Sequence, residues 1–264
     1  MYNFNYHQAK NVDDASKLVS GVEEGKLMAG GMTLIPTLKQ RLAKPSDVVD
    51  LGKIAELKGI KKEGNAIVIG AMTRHFDVAT SDVVKSAIPG LAGLAAHIGD
   101  PAVRNRGTMG GSVANNDPAA DYPGAVVALN ATITTNKRKI AADDFFKGLF
   151  ETALEPNEII TSFSYPIPEK SAYMKFPNPA SRYAIVGVYV AKTGGNVRVA
   201  VTGAGACVFR QKDMEAALTK SFTPDAIKGI AQNQSGLNSD IHASAEYRAH
   251  LVNVMARRAV TACG

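Results

Sequence analysis

The chain has 264 residues, of which 45% are hydrophobic and 20% are charged; these values fit one large or two moderate globular domains and exclude extensive disorder. Its formal net charge is +6, but the basic residues are dispersed and not interleaved with aromatic residues, so a solvated face or an acidic protein partner is favoured over a nucleic acid. No apolar run approaches the ~20 residues of a membrane span, and the N-terminal segment MYNFNYHQAK lacks an apolar signal region, so we expect a cytoplasmic protein.

The cysteines and histidines predict no metal site. The two cysteines, Cys207 and Cys263, are far apart and neither belongs to a CxxC pair. Because an iron–sulfur cluster usually needs about four thiolates, we do not expect this chain to build one by itself. The five histidines are scattered along the sequence, which argues against a metal centre of any other kind.

Residues 1–53 alternate between strands and helices, which predicts a small parallel sheet. Apolar residues at helical spacing follow an opening strand, with Asp13 or Asp14 as the expected cap and Gly25 as the expected end of the helix. The predicted elements after the opening strand are a helix over 12–22, a strand over 26–29, a helix over 33–41 and a strand over 47–51.

Residues 54–165 show shorter pieces with irregular connections, which predict a second lobe with a mixed or antiparallel sheet. The segment 99–117 is rich in Gly, Arg and Asn and is predicted as a loop. The other predicted elements are strands near 66–69, 131–135 and 159–164, and helices over 89–98 and 118–129.

The segment Tyr165-Pro-Ile-Pro168 interrupts the pattern and predicts a domain boundary, with a C-terminal domain over 168–264. Two β-rich runs flank Thr193-Gly-Gly-Asn196, which predicts a hairpin. Three helices are expected after it. They are predicted over 213–218, from Thr223-Pro224 onward, and over 240–259, where apolar residues form one stripe.

Two glycine pairs are the best candidates for a binding site. They lie in Ala29-Gly30-Gly31-Met32-Thr33-Leu34 and in Gly107-Thr108-Met109-Gly110-Gly111-Ser112. Glycine lets backbone N–H groups converge and lets a bulky anion approach, and a following helix N-terminus adds partial positive charge. A diphosphate needs such donors, and a side chain at Gly31 or Gly110 is expected to occupy its place. The alternative is that both pairs are ordinary turns.

The residues after the second glycine pair predict further polar contacts. Asp117 is expected to cap a helix with Pro118 at its first position, and Asp121 is expected one turn later, where it could accept hydrogen bonds from ribose hydroxyls. A Gly203-Ala-Gly205 sequence at a strand end is similar to a dinucleotide fingerprint, but its third glycine is replaced by Val208. The motifs of hydrolases, zinc proteases and P-loop enzymes are absent from the sequence, which favours a carrier role.

Several stretches, which include both glycine loops, match the pattern of one known family in the right order over nearly the whole chain. They are residues 29–36 with Lys39 and Arg41, Asp50-Leu51, 69–73, 103–112 continuing to Asp117-Pro118 and Asp121, 143–148, 158–160, Tyr247-Arg248 and Arg257-Arg258. Together, these stretches resemble the FAD-binding (medium) subunits of the molybdenum hydroxylases, the family that includes those of aerobic carbon monoxide dehydrogenase and xanthine dehydrogenase.

The resemblance implies an α+β fold, with a two-lobed FAD-binding domain of the vanillyl-alcohol oxidase (PCMH) type followed by a small antiparallel sheet and a three-helix bundle. It places the diphosphate on the first glycine loop, Asp121 near the ribose, Ile98 and Ile160 against the flavin ring, and Lys175 at the polar edge of the ring. No catalytic or metal-binding residue is implied. The implied cofactor-binding residues are Lys26, Leu27, Met28, Ala29, Gly30, Gly31, Met32, Thr33, Leu34, Ile98, Val103, Thr108, Gly110, Gly111, Ser112, Asn116, Asp121, Ile160 and Lys175.

The same resemblance implies an electron relay in a dimer of heterotrimers, attached to a membrane, if at all, through the complex. A large subunit would hold a molybdenum–pterin centre, and a small subunit would carry [2Fe–2S] clusters that reduce the FAD of this chain. Two alternatives stay open at this point: a stand-alone flavoprotein oxidase or reductase of the same fold, and a flavin-free assembly module. The substrate and the electron acceptor are not fixed by the sequence.

Overall fold

The first lobe is a three-stranded parallel sheet with two helices, in a computed structural model that describes residues 1–264. The strand order is β1-β3-β2, which confirms the predicted parallel pairing. Helix α1 is capped by the side chain of Asn11 and not by Asp13 or Asp14. It ends at Ser20 with Gly21 as its C-cap, whereas Gly25 begins β2. The elements are β1 (Asn5–Gln8), α1 (Val12–Ser20), β2 (Gly25–Met28), α2 (Leu34–Lys39) and β3 (Asp47–Asp50).

The second lobe is built around a five-stranded sheet whose observed pairings are all antiparallel, in the order β4-β5-β10-β6-β7. Its helices lie between the strands in sequence and, with the sheet, enclose the largest hydrophobic core of the molecule. The elements are β4 (Ile60–Glu63), β5 (Ala66–Gly70), α3 (His75–Thr80), α4 (Asp82–Ala87), α5 (Pro89–Ala96), α6 (Pro101–Arg106), α7 (Met109–Asn115), α8 (Tyr122–Ala128), β6 (Thr132–Thr135), β7 (Lys139–Ala141), α9 (Ala142–Phe145), β8 (Phe146–Gly148), β9 (Glu151–Thr152) and β10 (Ile160–Pro166).

The predicted loop over 99–117 is wrong, because this segment forms the two short helices α6 and α7. Asp100 caps α6 by accepting the N–H of Val103 at 2.8 Å, and Thr108 caps α7. The predicted cap at Asp117 is also wrong. Helix α8 begins only at Tyr122, and the Asp117 carboxylate closes a separate turn by accepting the N–H of Ala119.

The C-terminal domain is a four-stranded antiparallel sheet with two α-helices on one face. The hairpin at Gly194 and Gly195 is confirmed; both glycines have positive φ angles, +57° and +80°, as a tight two-residue turn requires. Of the three predicted helices, the second is a 3-10 helix (Pro224–Ile227), and the third begins at Ala245 behind the cap Ser244. The elements are β11 (Lys170–Pro177), β12 (Ala184–Thr193), β13 (Asn196–Thr202), β14 (Phe209–Arg210), α10 (Lys212–Lys220) and α11 (Ala245–Ala262).

The other face of this sheet packs on the second lobe. Tyr189 and Ala200 are fully buried in the core of that lobe. The sheet also fixes the chain before α8, because Gly203 donates its N–H to the carbonyl of Pro118 at 2.7 Å and Thr202 donates its hydroxyl to the same carbonyl at 2.9 Å. The segment that leads to Asp121 is therefore held between two domains. No helix of this fold combines the length and the apolarity needed to cross a membrane.

Candidate functional site

The two glycine loops lie directly against each other, although they come from different lobes. A β-carbon built on Gly30 would lie 2.0 Å from the carbonyl oxygen of Arg106 and 2.9 Å from the Cα of Gly107. A β-carbon on Gly111 would lie 3.2 Å from that of Ala29. Glycine at position 30 is therefore what allows the first loop to rest on the backbone where α6 ends.

The first loop presents a row of free backbone donors. The N–H groups of Gly30, Gly31, Met32 and Thr33 donate to no acceptor in the protein. Gly31 has a φ of +74°, a conformation that glycine adopts without strain, and it turns the chain from β2 toward α2. Successive free N–H groups in such a turn form an anion-binding concavity. A phosphate group is the kind of ligand that this loop fits.

The second loop uses most of its backbone donors inside the protein. Met109 donates to the carbonyl of Thr73 at 3.1 Å, and Gly110 donates to that of Ala71 at 2.8 Å. Between Thr108 and Ser112, only the N–H of Thr108 lacks an acceptor. The expectation that a side chain at Gly110 would occupy the place of the diphosphate is therefore wrong, because its β-carbon would lie 2.6 Å from that of Ala71.

A buried polar cluster joins the second lobe to the C-terminal domain. The Asp121 carboxylate accepts a hydrogen bond from the Tyr173 hydroxyl and forms an ion pair with the Lys175 ammonium at 3.1 Å. Lys175 also donates to the carbonyl of His97 at 2.9 Å. Burial raises the pKa of the Asp121 carboxyl, whereas Lys175 and Tyr173 oppose that rise. The structure thus brings together Asp121 and Lys175, both implied by the resemblance.

Helix α6 connects the two glycine loops with this polar cluster. Its Arg104 donates to the carbonyls of Ile98 and Gly99, both at 3.0 Å, next to the His97 carbonyl that Lys175 binds. Its last turn meets Gly30. Since α6 has six residues, the helix is about 9 Å long from end to end. The partly buried Ile98 and Val103 lie along this connection.

Two residues that the resemblance implies lie in structural roles. Asn116 is fully buried, and its amide donates to the carbonyls of Gly148 and Glu151, both at 2.8 Å, so it anchors the β8–β9 hairpin. Its Oδ1 is buried without a partner. Ile160 is 6% exposed and belongs to the core of the second lobe. Their contact with a cofactor stays a prediction.

The remaining implied residues follow the two loops along the chain. They lie on β2 (Lys26, Leu27, Met28), in the turn after it (Ala29, Gly30, Gly31, Met32, Thr33), at the start of α2 (Leu34), in α6 (Val103), at the cap of α7 (Thr108) and in its first turn (Gly110, Gly111, Ser112).

Sequence reasoning missed two residues next to this site. His75 is 4% exposed and lies under the second loop, with its Nε2 2.5 Å from a β-carbon built on Gly107. Burial, and to a smaller degree the charge of Arg104, lowers its pKa to about 4. No motif marks His75. Tyr173 could have been found, because it precedes Lys175 by two residues and so shares its face of the strand.

Comparisons with known proteins identify the family of this chain. The family described as FAD binding domain in molybdopterin dehydrogenase matches residues 2–168, and the CO dehydrogenase flavoprotein C-terminal domain matches residues 171–263. The glyceraldehyde dehydrogenase medium chain of Sulfolobus acidocaldarius is 36% identical over 97% of this chain and 96% of that protein. The carbon monoxide dehydrogenase medium chain of Hydrogenophaga pseudoflava is 34% identical over 98% and 96%.

A solved structure shares the whole fold. The reconstituted CO dehydrogenase from Oligotropha carboxidovorans superposes with a TM-score of 0.90 at 32% identity, over 99% of this chain and 98% of the matched one. The fold is thus that of a two-part flavoprotein, with an FAD-binding domain ahead of a smaller C-terminal domain. The chain belongs to the family of FAD-binding medium subunits of molybdenum-containing dehydrogenases, which confirms the resemblance seen in the sequence.

Proposed function

We propose that this chain holds one FAD and relays electrons within a multi-subunit molybdenum hydroxylase, without itself contacting the organic substrate. The observation that carries the proposal is the row of free N–H groups from Gly30 to Thr33, on a chain whose family is defined by an FAD-binding domain. In this proposal a small partner subunit with [2Fe–2S] clusters delivers the electrons, and a large partner subunit with a molybdenum–pterin centre oxidises the substrate.

The residues of this chain have distinct tasks in the proposal. The first loop binds the diphosphate, assisted by Thr108, whose N–H is also free. Asp121 keeps two hydrogen-bond acceptor positions beyond those used by Tyr173 and Lys175, and these suit ribose hydroxyls. Ile98 offers an apolar contact to the flavin ring. The FAD supplies the capacity to collect single electrons and to release them in pairs, and the protein supplies orientation and tuning.

The assembly proposed here is a dimer of heterotrimers in the cytoplasm, with an external electron acceptor. The curated relatives described above are medium chains by name, which supports a multi-subunit complex. The positive net charge of +6 suits an acidic face on a partner subunit.

The first test is a titration of FAD into the full-length apoprotein, with ADP as a competitor. We expect one FAD per chain and competition by ADP, because ADP carries the diphosphate that the first loop would bind. An absence of FAD binding, with the protein folded by circular dichroism, would contradict the proposal and support the assembly module.

The second test addresses the electron relay. We expect the FAD-loaded chain to be reduced by a reduced [2Fe–2S] protein and not by small alcohols or enol ethers. Reduction of the loaded chain by an alcohol, at rates typical of turnover, would instead support the stand-alone oxidase.

A further inference from the structure

The Tyr173 side chain passes over strand β12 in a space that glycine at position 187 leaves open. In the β11–β12 register, Tyr173 lies opposite Tyr189, and Lys175 lies opposite Gly187. A β-carbon on Gly187 would lie 2.1 Å from the Tyr173 hydroxyl and 2.8 Å from its Cζ. The φ angle of Gly187 does not fall in the left-handed region, so its backbone does not require glycine. The explanation is steric, because the Tyr173 ring passes diagonally over position 187 to reach Asp121.

The hydrogen bonds around Lys175 leave one donor unused. An ammonium has three N–H donors, and those of Lys175 reach only the Asp121 carboxylate and the His97 carbonyl. The Lys175 side chain is 6% exposed, so bulk water does not easily satisfy the third. A buried donor without an acceptor is unfavourable, and the third N–H therefore fits an acceptor atom of a ligand.

Tyr173 keeps the Asp121 carboxylate ionised and oriented toward the Lys175 ammonium. With its hydroxyl on one carboxylate oxygen, the other oxygen faces Lys175. Without the hydroxyl, one oxygen of a buried carboxylate would lose its partner. The carboxylate would then rotate or take up a proton more readily, and either change weakens its pairing with Lys175.

We infer that Tyr173, in the space left by Gly187, is a positioning residue that aims the third N–H donor of Lys175 at an acceptor atom on the flavin ring system of bound FAD. The inference rests on the proposed FAD function. The position at the ring is the one that the resemblance implied for Lys175, and the new element is the role of Tyr173. ADP lacks the flavin ring, so it could meet Asp121 through its ribose but not the third donor of Lys175.

The test compares FAD and ADP affinities of Tyr173→Phe and Tyr189→Phe in the full-length chain. Tyr189→Phe is the matched control, because its hydroxyl is buried in the same interface without a hydrogen-bond partner and its ring stacks on that of Tyr173. We expect Tyr173→Phe to weaken FAD about tenfold more than it weakens ADP, whereas Tyr189→Phe changes neither affinity. A general loss of structure would weaken both ligands by similar factors.

A double-variant cycle then tests whether Tyr173 acts through Lys175. Lys175→Met should weaken FAD at least as much as Tyr173→Phe, and the double variant should be no weaker than Lys175→Met alone. Gly187→Ala, which displaces the Tyr173 ring without removing a polar group, should reproduce the loss for FAD. Equal FAD affinity in Tyr173→Phe and Tyr189→Phe, or additive effects in the double variant, would overturn the inference. If the unsubstituted chain bound no FAD, the proposed function itself would fail.

Discussion

The contact between the two glycine loops gives a prediction whose size follows from the structure. Gly30→Ala would put a methyl group 2.0 Å from the Arg106 carbonyl oxygen, where ordinary contacts begin near 3.4 Å. Because the atoms that it would meet belong to the backbone of Arg106 and Gly107, they cannot move aside like the end of a side chain. The two loops must separate by about 1.4 Å.

That displacement is large compared with the tolerance of a hydrogen bond. An N–H···O contact near 2.9 Å that lengthens by more than about 1 Å is no longer a hydrogen bond. If the first loop binds the diphosphate, at least one charge-assisted bond is lost, which is worth about 2 kcal/mol, or roughly 30-fold in Kd. We therefore expect Gly30→Ala to weaken FAD and ADP by similar factors, unlike Tyr173→Phe, which should weaken FAD more than ADP.

The assay is a titration of each apoprotein followed by flavin fluorescence, with a thermal melt of the same sample. Gly93→Ala is the matched control, since it makes the same change on α5, where the added β-carbon meets no atom within 4 Å. Gly110→Ala, whose β-carbon would meet Ala71, should lower the melting temperature but leave the FAD affinity of the folded protein nearly unchanged. Equal FAD affinities in Gly30→Ala and Gly93→Ala would refute this reasoning.

Two further predictions concern stability. The pKa of His75 is lowered to about 4, so between pH ~6.5 and ~4 only the unfolded chain takes up this proton. The free energy of unfolding should therefore fall by roughly 3 kcal/mol as the pH drops through that range. Urea titrations should show a flatter pH profile of the unfolding free energy for His75→Phe, and an unchanged profile would contradict the assignment. Arg248 is 4% exposed, donates to the carbonyls of Ile185 and Gly203, and forms an ion pair with Asp240 at 2.6 Å. Arg248→Met should therefore lower the free energy of unfolding by about 3 kcal/mol, whereas Arg258→Met, on an exposed part of α11, should change it little. Equal melting temperatures for the two variants would refute this prediction.

The parts of the fold that were predictable carry local signals. The first lobe follows from apolar periodicity in short, well-separated elements, and the hairpin follows from Gly194-Gly195, because a tight turn needs positive φ angles. Helices α6 and α7 were missed because their sequences are short and rich in Arg, Asn and Gly, although Asp100-Pro101 carries the same helix-start signal as Asp117-Pro118.

The site itself was predictable only in part, for a physical reason. Both loops carry the same glycine pattern, yet the N–H groups after Gly30 are free and those after Thr108 are largely engaged. What decides this is the backbone at Ala71 and Thr73, which follows β5 and supplies carbonyl acceptors to the second loop. Such a tertiary contact leaves no mark on the glycine pattern, so the sequence could indicate two candidate cradles but not which one keeps its donors.

If FAD spans both contacts between the parts of the chain, as proposed, the C-terminal domain forms part of its binding site. The loop cradle depends on the contact of the first lobe with α6 at Gly30, whereas the Lys175 pair depends on the contact of the C-terminal sheet with the second lobe at Asp121. A ligand that spans both sites binds only when the three parts are docked together, so its binding free energy also stabilises that arrangement. ADP could reach the second contact only through its ribose, so the comparison of FAD with ADP measures what the flavin ring adds there.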